Sequence, residues 1–212
     1  MINLLEFIYP NVCGFCNKIC KEEICNKCRM KIKKYQINIV IKPPNRYFNE
    51  LISIFKYEGI IREKILQYKF NDKAYMRNTF AKIILKNKKV CGLLKKYDII
   101  IPVPIHKSRK AQRGYNQTQL IASKIAEYMD IEFCNNVLVK NKNTIAQSKL
   151  NRKKRIENIK GAFNILNLEK VQGKNVLLFD DIYTTGSTAN ECSRILKTAG
   201  AKTLGILTIA KD

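Results

Sequence analysis

A short apolar run that ends in two adjacent carboxylates and a glycine turn constrains this chain more than any other feature. It lies in VLLFDDIYTTGST, Val176 to Thr188. Val176 to Phe179 is continuously apolar with polar flanks, the pattern of a strand buried on both faces of a parallel sheet. Asp180 and Asp181 are then expected at its carboxyl end, where open α/β sheets receive ligands. Thr184, Thr185, Gly186, Ser187 and Thr188 fill the following loop, and a helix is expected from about Ala189. Gly186 permits positive φ, and the hydroxyls together with the first helical N–H groups can donate to a phosphate. Carboxylates repel phosphate, so the acidic pair must face something else, either vicinal sugar hydroxyls or Mg2+. The arrangement suits a phosphorylated sugar.

Two other readings use the same residues. Asp, Thr, Gly and Ser are ordinary turn and cap residues after any strand. A Walker B strand also ends in paired aspartates, but it needs a G-x-x-x-x-G-K-[ST] partner loop, which this chain lacks.

Upstream, Asp98 to Val103 reads as another buried strand, with regular pairing stopped by Pro102 and Pro104. The loop PVPIHKSRKAQRGYNQ follows, and Asn116 opens a helix to about Met129. A strand, a basic turn and a helix repeat the logic of the first motif. Lys107, Arg109 and Arg113 are therefore candidate diphosphate ligands, while His106 reads as a satisfied turn residue. Val137 to Val139 and Phe163 to Leu166 read as further strands. Between them runs a basic loop holding Lys149, Arg152, Lys153, Lys154 and Arg155, with Glu157 its one acid. Such a loop suits closure over phosphates or contact with nucleic acid. Gly200 stops the last helix, and Thr203 to Thr208 completes the alternation. The expected fold class is α/β, a parallel sheet flanked by helices.

Five of the eight cysteines crowd into CGFCNKICKEEICNKC. Cys13-x2-Cys16 and Cys25-x2-Cys28 are two knuckles, spaced as in a tetrahedral four-cysteine site for structural Zn2+. Disulfides are the rival and are disfavoured in a reducing cytosol. Cys20 reads as a spare thiol. Residues 1–35 thus form a metal ribbon, 36–95 a connecting hairpin and helices that are a possible hood over the site, and 96–212 the α/β domain. Within 36–95, Ile60 to Leu85 reads as two amphipathic helices broken at Asn71-Asp72.

A net charge of +23, from 40 basic and 17 acidic residues, makes a polyanionic partner such as nucleic acid a natural expectation. Tyr47, Phe48, Tyr57 and Tyr115 are available for base stacking. The opening MINLLEFIYP lacks a basic n-region and carries Glu6, so the cytoplasm is the default location.

VLLFDDIYTTGST resembles the phosphoribosyl-diphosphate loop of type I phosphoribosyltransferases. That resemblance implies that Asp180 and Asp181 hold ribose hydroxyls and that Thr184 to Thr188 cradle the 5′-phosphate, with Mg2+ accompanying the diphosphate. Taken with the cysteine knuckle, RGYNQ at Arg113 to Gln117 and QSKLNRKKRIENIKGAF, the whole chain resembles the ComF family of competence proteins. Tyr183 stands where the general transferase loop carries an aliphatic residue. The resemblance implies handling of single-stranded DNA in natural transformation. The implied setting is peripheral to the membrane uptake machinery, beside a competence helicase and recombination factors. The alternative is a working phosphoribosyltransferase with a purine or pyrimidine acceptor, catalysing through Asp180 and Asp181 with no direct DNA role.

Overall fold

A computed structural model describes residues 11–145 and 151–212, apart from the side chains of residues 152 and 153. Six strands form one sheet: β1 (Gln36–Ile41), β2 (Glu50–Lys56), β3 (Ile99–Pro102), β4 (Glu132–Phe133), β7 (Asn175–Tyr183) and β8 (Thr203–Lys211). Their spatial order is β1-β2-β8-β7-β3-β4. Only the edge strand β1 runs antiparallel to its neighbour; every other pairing is parallel. The central strands are apolar because helices cover both sides. β3 is buried throughout, and β8 is buried from Leu204 to Ala210.

Two apolar cores lie on the two faces. One takes Leu177 and Phe179 of β7 together with helices α2 (Gly59–Phe70), α3 (Met76–Leu85) and α6 (Gln117–Met129). The other takes Val176 and Leu178 with α8 (Ser187–Thr198) and the small two-stranded sheet described below. Alternation along a strand sends neighbouring residues to opposite faces, so VLLF fills both cores at once.

The cysteine segment is packed into the first core and does not stand apart. Cys13, Phe15, Cys28 and Ile32 are buried with Ile61, Ile65 and Phe80, and the rings of Phe15 and Phe80 lie 5.6 Å apart. A side chain at Gly14 would collide with the Thr79 hydroxyl, so glycine lets the knuckle sit directly on α3. Helix α1 (Asn26–Lys33) carries Cys28, and Cys25 is its N-cap residue.

Several expected elements differ in detail. The strand expected at Val176 to Phe179 continues through both aspartates to Tyr183, because β8 runs alongside and keeps pairing as far as Tyr183 with Lys211. Val137 to Val139 does not join the parallel sheet. Instead β5 (Leu138–Lys140) pairs antiparallel with β6 (Phe163–Ile165) in a separate two-stranded unit. The basic loop after β3 holds a short helix, α5 (Lys107–Arg113), capped by His106 Nδ1 and ended at Gly114 with φ 79°. Part of the second basic loop is also helical, α7 (Arg152–Ile159), with Asn151 as its cap. A further helix, α4 (Lys88–Leu94), has no counterpart among the elements expected from the sequence. Residues 36–95 contribute β1 and β2 to the same sheet as the later strands. Among the described residues no helix is long and apolar enough to cross a membrane.

Candidate functional site

Pairing between β3 and β7 ends where Pro102 meets Phe179, whereas β8 continues beside β7. Beyond that point β7 has lost one neighbour, and Asp180 and Asp181 border an open crevice. As consecutive strand residues they point to opposite faces. Asp181 turns toward α2 and α6, where Lys69 Nζ lies 2.8 Å and Gln117 Nε2 3.0 Å from its Oδ2. Asp180 turns toward the other face, and the Asp181 backbone N–H donates to its Oδ1 at 2.8 Å. Because the overhang is open on one edge, both carboxylates still line a single cavity of about 330 Å³.

Around the carboxylates the cavity is cationic. Lys69 of α2, Arg109 and Arg113 of α5, Lys140 of β5 and Arg155 of α7 reach it from four elements. Burial and the nearby Arg109 lower the Lys140 ammonium to about 8, while Asp180 opposes that shift. Burial, with Asp181 alongside, raises the Asp180 carboxyl to about 7. Desolvation also lowers the Arg113 guanidinium, which sits 5.0 Å from the centre of the Phe70 ring. A site holding this much confined positive charge is adapted to a multiply charged anion.

RGYNQ is the brace of this wall. Arg113 donates to Gln117 Oε1, and Gln117 passes a hydrogen bond on to Asp181. Asn116 caps α6 and, with Thr118, donates to the Val103 carbonyl, tying the helix start to the end of β3. The Tyr115 hydroxyl donates to the Tyr68 carbonyl, and Tyr68 in turn donates to Gln117 O at 2.9 Å.

The glycine turn is held from both sides. Gly186 has φ 74°, and a Cβ there would overlap the Tyr183 hydroxyl. Tyr183 therefore packs its ring where only a glycine leaves room. Thr185 and Ser187 hydroxyls pair with each other at 2.8 Å. Arg46 donates to the Thr185 carbonyl at 3.2 Å, and the Tyr47 N–H to Asn190 Oδ1 at 3.1 Å. Thr184 and Thr188 line the cavity, whereas Thr185, Gly186 and Ser187 shape the turn behind it.

The remaining expected residues are distributed unevenly. Arg109 and Arg113 reach the cavity; Lys107, exposed at the other end of α5, does not line it. Arg155 lines the cavity, Lys154 is exposed, Lys149 lies outside the described residues, and the side chains of Arg152 and Lys153 are likewise outside them. Of the aromatic candidates, Phe48 is buried edge-on against Tyr183 and Tyr57 lines the cavity. Tyr115 packs on Tyr68, and Tyr47 is half exposed. Lys69, Lys140 and Arg46 escape sequence reasoning, since nothing local distinguishes them from any other basic residue of this chain.

At the amino end, the sulfurs of Cys13, Cys16, Cys25 and Cys28 all lie within 4.8 Å of one another. Cys16 and Cys25 Sγ are 3.7 Å apart, close to the edge of about 3.8 Å for a sulfur tetrahedron around zinc. The donor set and the spacing both fit Zn2+. Cys20 is outside the cluster, its thiol directed at the Glu22 carbonyl at 2.8 Å. Cys134 and Cys192 are buried single thiols.

Residues 116–212 match the family model described as a phosphoribosyl transferase domain. The chain is 29% identical to "Competence protein F" of Haemophilus influenzae, over 98% of this chain and 93% of that protein. Identity is 25% to "DNA utilization protein YhgH" of Escherichia coli K12, over 90% of this chain and 86% of that one. It is 31% to "Competence protein ComFC" of Streptococcus pneumoniae, over 71% of this chain and 63% of that protein.

Proposed function

The chain belongs to the ComF family of competence proteins, and from that premise we propose that it handles single-stranded DNA in the cytoplasm while binding phosphoribosyl diphosphate. One observation carries the reading: Asp180 and Asp181 border the same cavity as Arg109, Arg113, Lys140 and Arg155. Carboxylates accept hydrogen bonds from the vicinal ribose hydroxyls, and the cations neutralise the diphosphate. Thr184 and Thr188 take the 5′-phosphate beside the N–H groups that open α8. Mg2+ supplies further neutralisation of the diphosphate when bound. Zn2+ held by Cys13, Cys16, Cys25 and Cys28 closes the amino-terminal ribbon. Helicase and recombination partners, and a position beside the membrane uptake machinery, belong to the same proposal.

For single-stranded DNA the support is the +23 charge together with the exposed base of α7, where Lys154 projects. Backbone binding of this kind works through counterion release and weakens steeply with salt. A second reading, phosphoribosyl transfer to a nitrogen nucleophile, draws on Tyr57 and Phe70, whose rings line the same cavity beside the sugar site.

Calorimetry and DNA binding separate these functions. Asp180→Asn with Asp181→Asn should abolish phosphoribosyl-diphosphate binding and spare DNA binding. Lys153→Ala with Lys154→Ala should do the reverse, lowering the salt slope by about one for each phosphate left without its cation. Unchanged ligand binding in the aspartate variant would remove those carboxylates from the site. DNA affinity insensitive to both salt and the lysines would remove the nucleic-acid role. Diphosphate release on adding nucleobases would establish the transfer reading.

A further inference from the structure

A second cavity, of about 710 Å³, lies apart from the phosphoribosyl site and shares none of its lining residues. It is a groove between α1, β1, α3 and the start of α4. Its floor is backed by the nearly fully buried Ile24, Ile32 and Phe55, and its accessible apolar surface comes from the half-buried Ile83 and from Met30, which stands at the rim with 70% of its surface exposed. The charged lining is entirely basic. Three of its cations are already paired, Arg29 and Lys86 with Glu22, and Lys82 with Glu23 at 3.5 Å. The other three, Lys33, Lys88 and Lys89, have no acidic partner among the described residues. A partly apolar slot edged by three ammonium groups with no acidic partner among the described residues is half of a complementary pair.

We propose that this groove docks an acidic segment of a partner protein, anchored by one large apolar side chain. Charge complementarity selects the acidic flanks, and the apolar floor selects the anchor. Nucleic acid shares the charge but not the anchor chemistry. Stacking needs an exposed aromatic face, and the groove's one aromatic residue, Phe55, is only 1% exposed. The remaining apolar lining is aliphatic or methionine, and methionine adapts its shape to an inserted side chain. Cavities of this volume accommodate such an anchor with part of its backbone.

One wall of the groove is the cysteine module itself. Ile24 and Arg29 flank Cys25 and Cys28, and Met30, Ile32 and Lys33 complete that side through α1. The metal ribbon thereby acquires a task that neither zinc nor phosphoribosyl binding requires: it presents a docking wall. This inference does not rest on the function proposed above.

The test is fluorescence anisotropy on the full metal-loaded chain. The probe is a labelled peptide of aspartate and glutamate with one phenylalanine; controls are the same peptide with alanine in place of phenylalanine, and a thymidine oligonucleotide of equal charge. The anchored peptide should bind. Lys33→Glu with Lys88→Glu should weaken it by about tenfold or more, as should Met30→Asp, while oligonucleotide binding stays within about twofold. Both lysines are exposed and have no acidic partner among the described residues, so these variants should keep the parent's metal content and thermal stability. Equal binding of the alanine peptide would overturn the proposal, as would unchanged affinity in the charge-reversal variant. Stronger oligonucleotide binding through the same lysines would assign the groove to nucleic acid instead. A concentration-dependent dimer abolished by Lys33→Glu would assign it to a second copy of the chain.

Discussion

Replacing Lys69 with methionine removes the ammonium 2.8 Å from Asp181 Oδ2 while keeping most of the side-chain volume. At an effective dielectric of about 20, that separation corresponds to about 6 kcal/mol of gross Coulomb attraction. Desolvating both charges cancels much of it. Only 17% of the lysine and 5% of the aspartate side chain is exposed, so the decisive quantity is the charge left stranded when one partner goes. That penalty is about 3 to 5 kcal/mol for a buried pair, eased here because Gln117 still donates to Asp181 at 3.0 Å. Lys69→Met should therefore lower the unfolding free energy by about 3 kcal/mol. Asp181→Asn, which strands the lysine, should cost a comparable amount. The double variant strands nothing and should recover about 2 kcal/mol relative to the sum. Urea unfolding of the four proteins, followed by circular dichroism, measures the coupling. Additivity within about 0.5 kcal/mol would refute the pairing with Lys69.

Gly186→Ala should cost about 2 kcal/mol or more, from its positive φ and the collision with Tyr183, and should abolish phosphoribosyl-diphosphate binding; a fully stable variant with intact calorimetric binding would contradict the turn geometry. Asp180 titrates near 7 in the folded chain against an ordinary value of 3.8. The folded state thus holds a proton the unfolded chain has released, and stability should fall as pH rises through that interval. Asp180→Asn lacks this cost, so its stability relative to the parent should grow by a few kcal/mol across the window and stay constant below it. Denaturation at a series of pH values checks the sign, and a pH-independent difference would be inconsistent with burial of the carboxyl. Metal analysis should find about one zinc per chain. Because Cys13 and Cys28 share a core with α2 and α3, chelation should lower the melting temperature of the whole domain in one transition; a separate early transition would show an independent ribbon.

Local pattern made much of this protein legible. Apolar continuity in VLLF required a strand covered on both faces, and β7 fills two cores in just that way. The spacing of Cys13, Cys16, Cys25 and Cys28 marked four thiols that could converge on one ion, and their sulfurs do cluster. The boundary of α6 followed from Asn116, a residue whose side chain accepts from the chain it caps. Where expectation failed, the missing information was tertiary. Nothing within DDIY says that the strand continues past Phe179; β8, running alongside as far as Lys211, decides it. Likewise, the short run Leu138–Lys140 pairs with β6, although a strand of that length could equally have joined a sheet edge.

By itself the sequence determined the chemistry available: an acidic pair, a glycine turn, four thiols and an excess of cations. Tertiary structure alone decided which cations matter. Lys69 and Lys140 come from distant segments and acquire meaning because the order β8-β7-β3 leaves Asp180 and Asp181 on an overhang that α2, α5 and β5 can reach. The same holds for Lys33 and Lys88, indistinguishable in the chain from other lysines until α1 and α4 face each other across an apolar groove. Charge is encoded residue by residue, but its effect depends on separation and desolvation, and packing sets both.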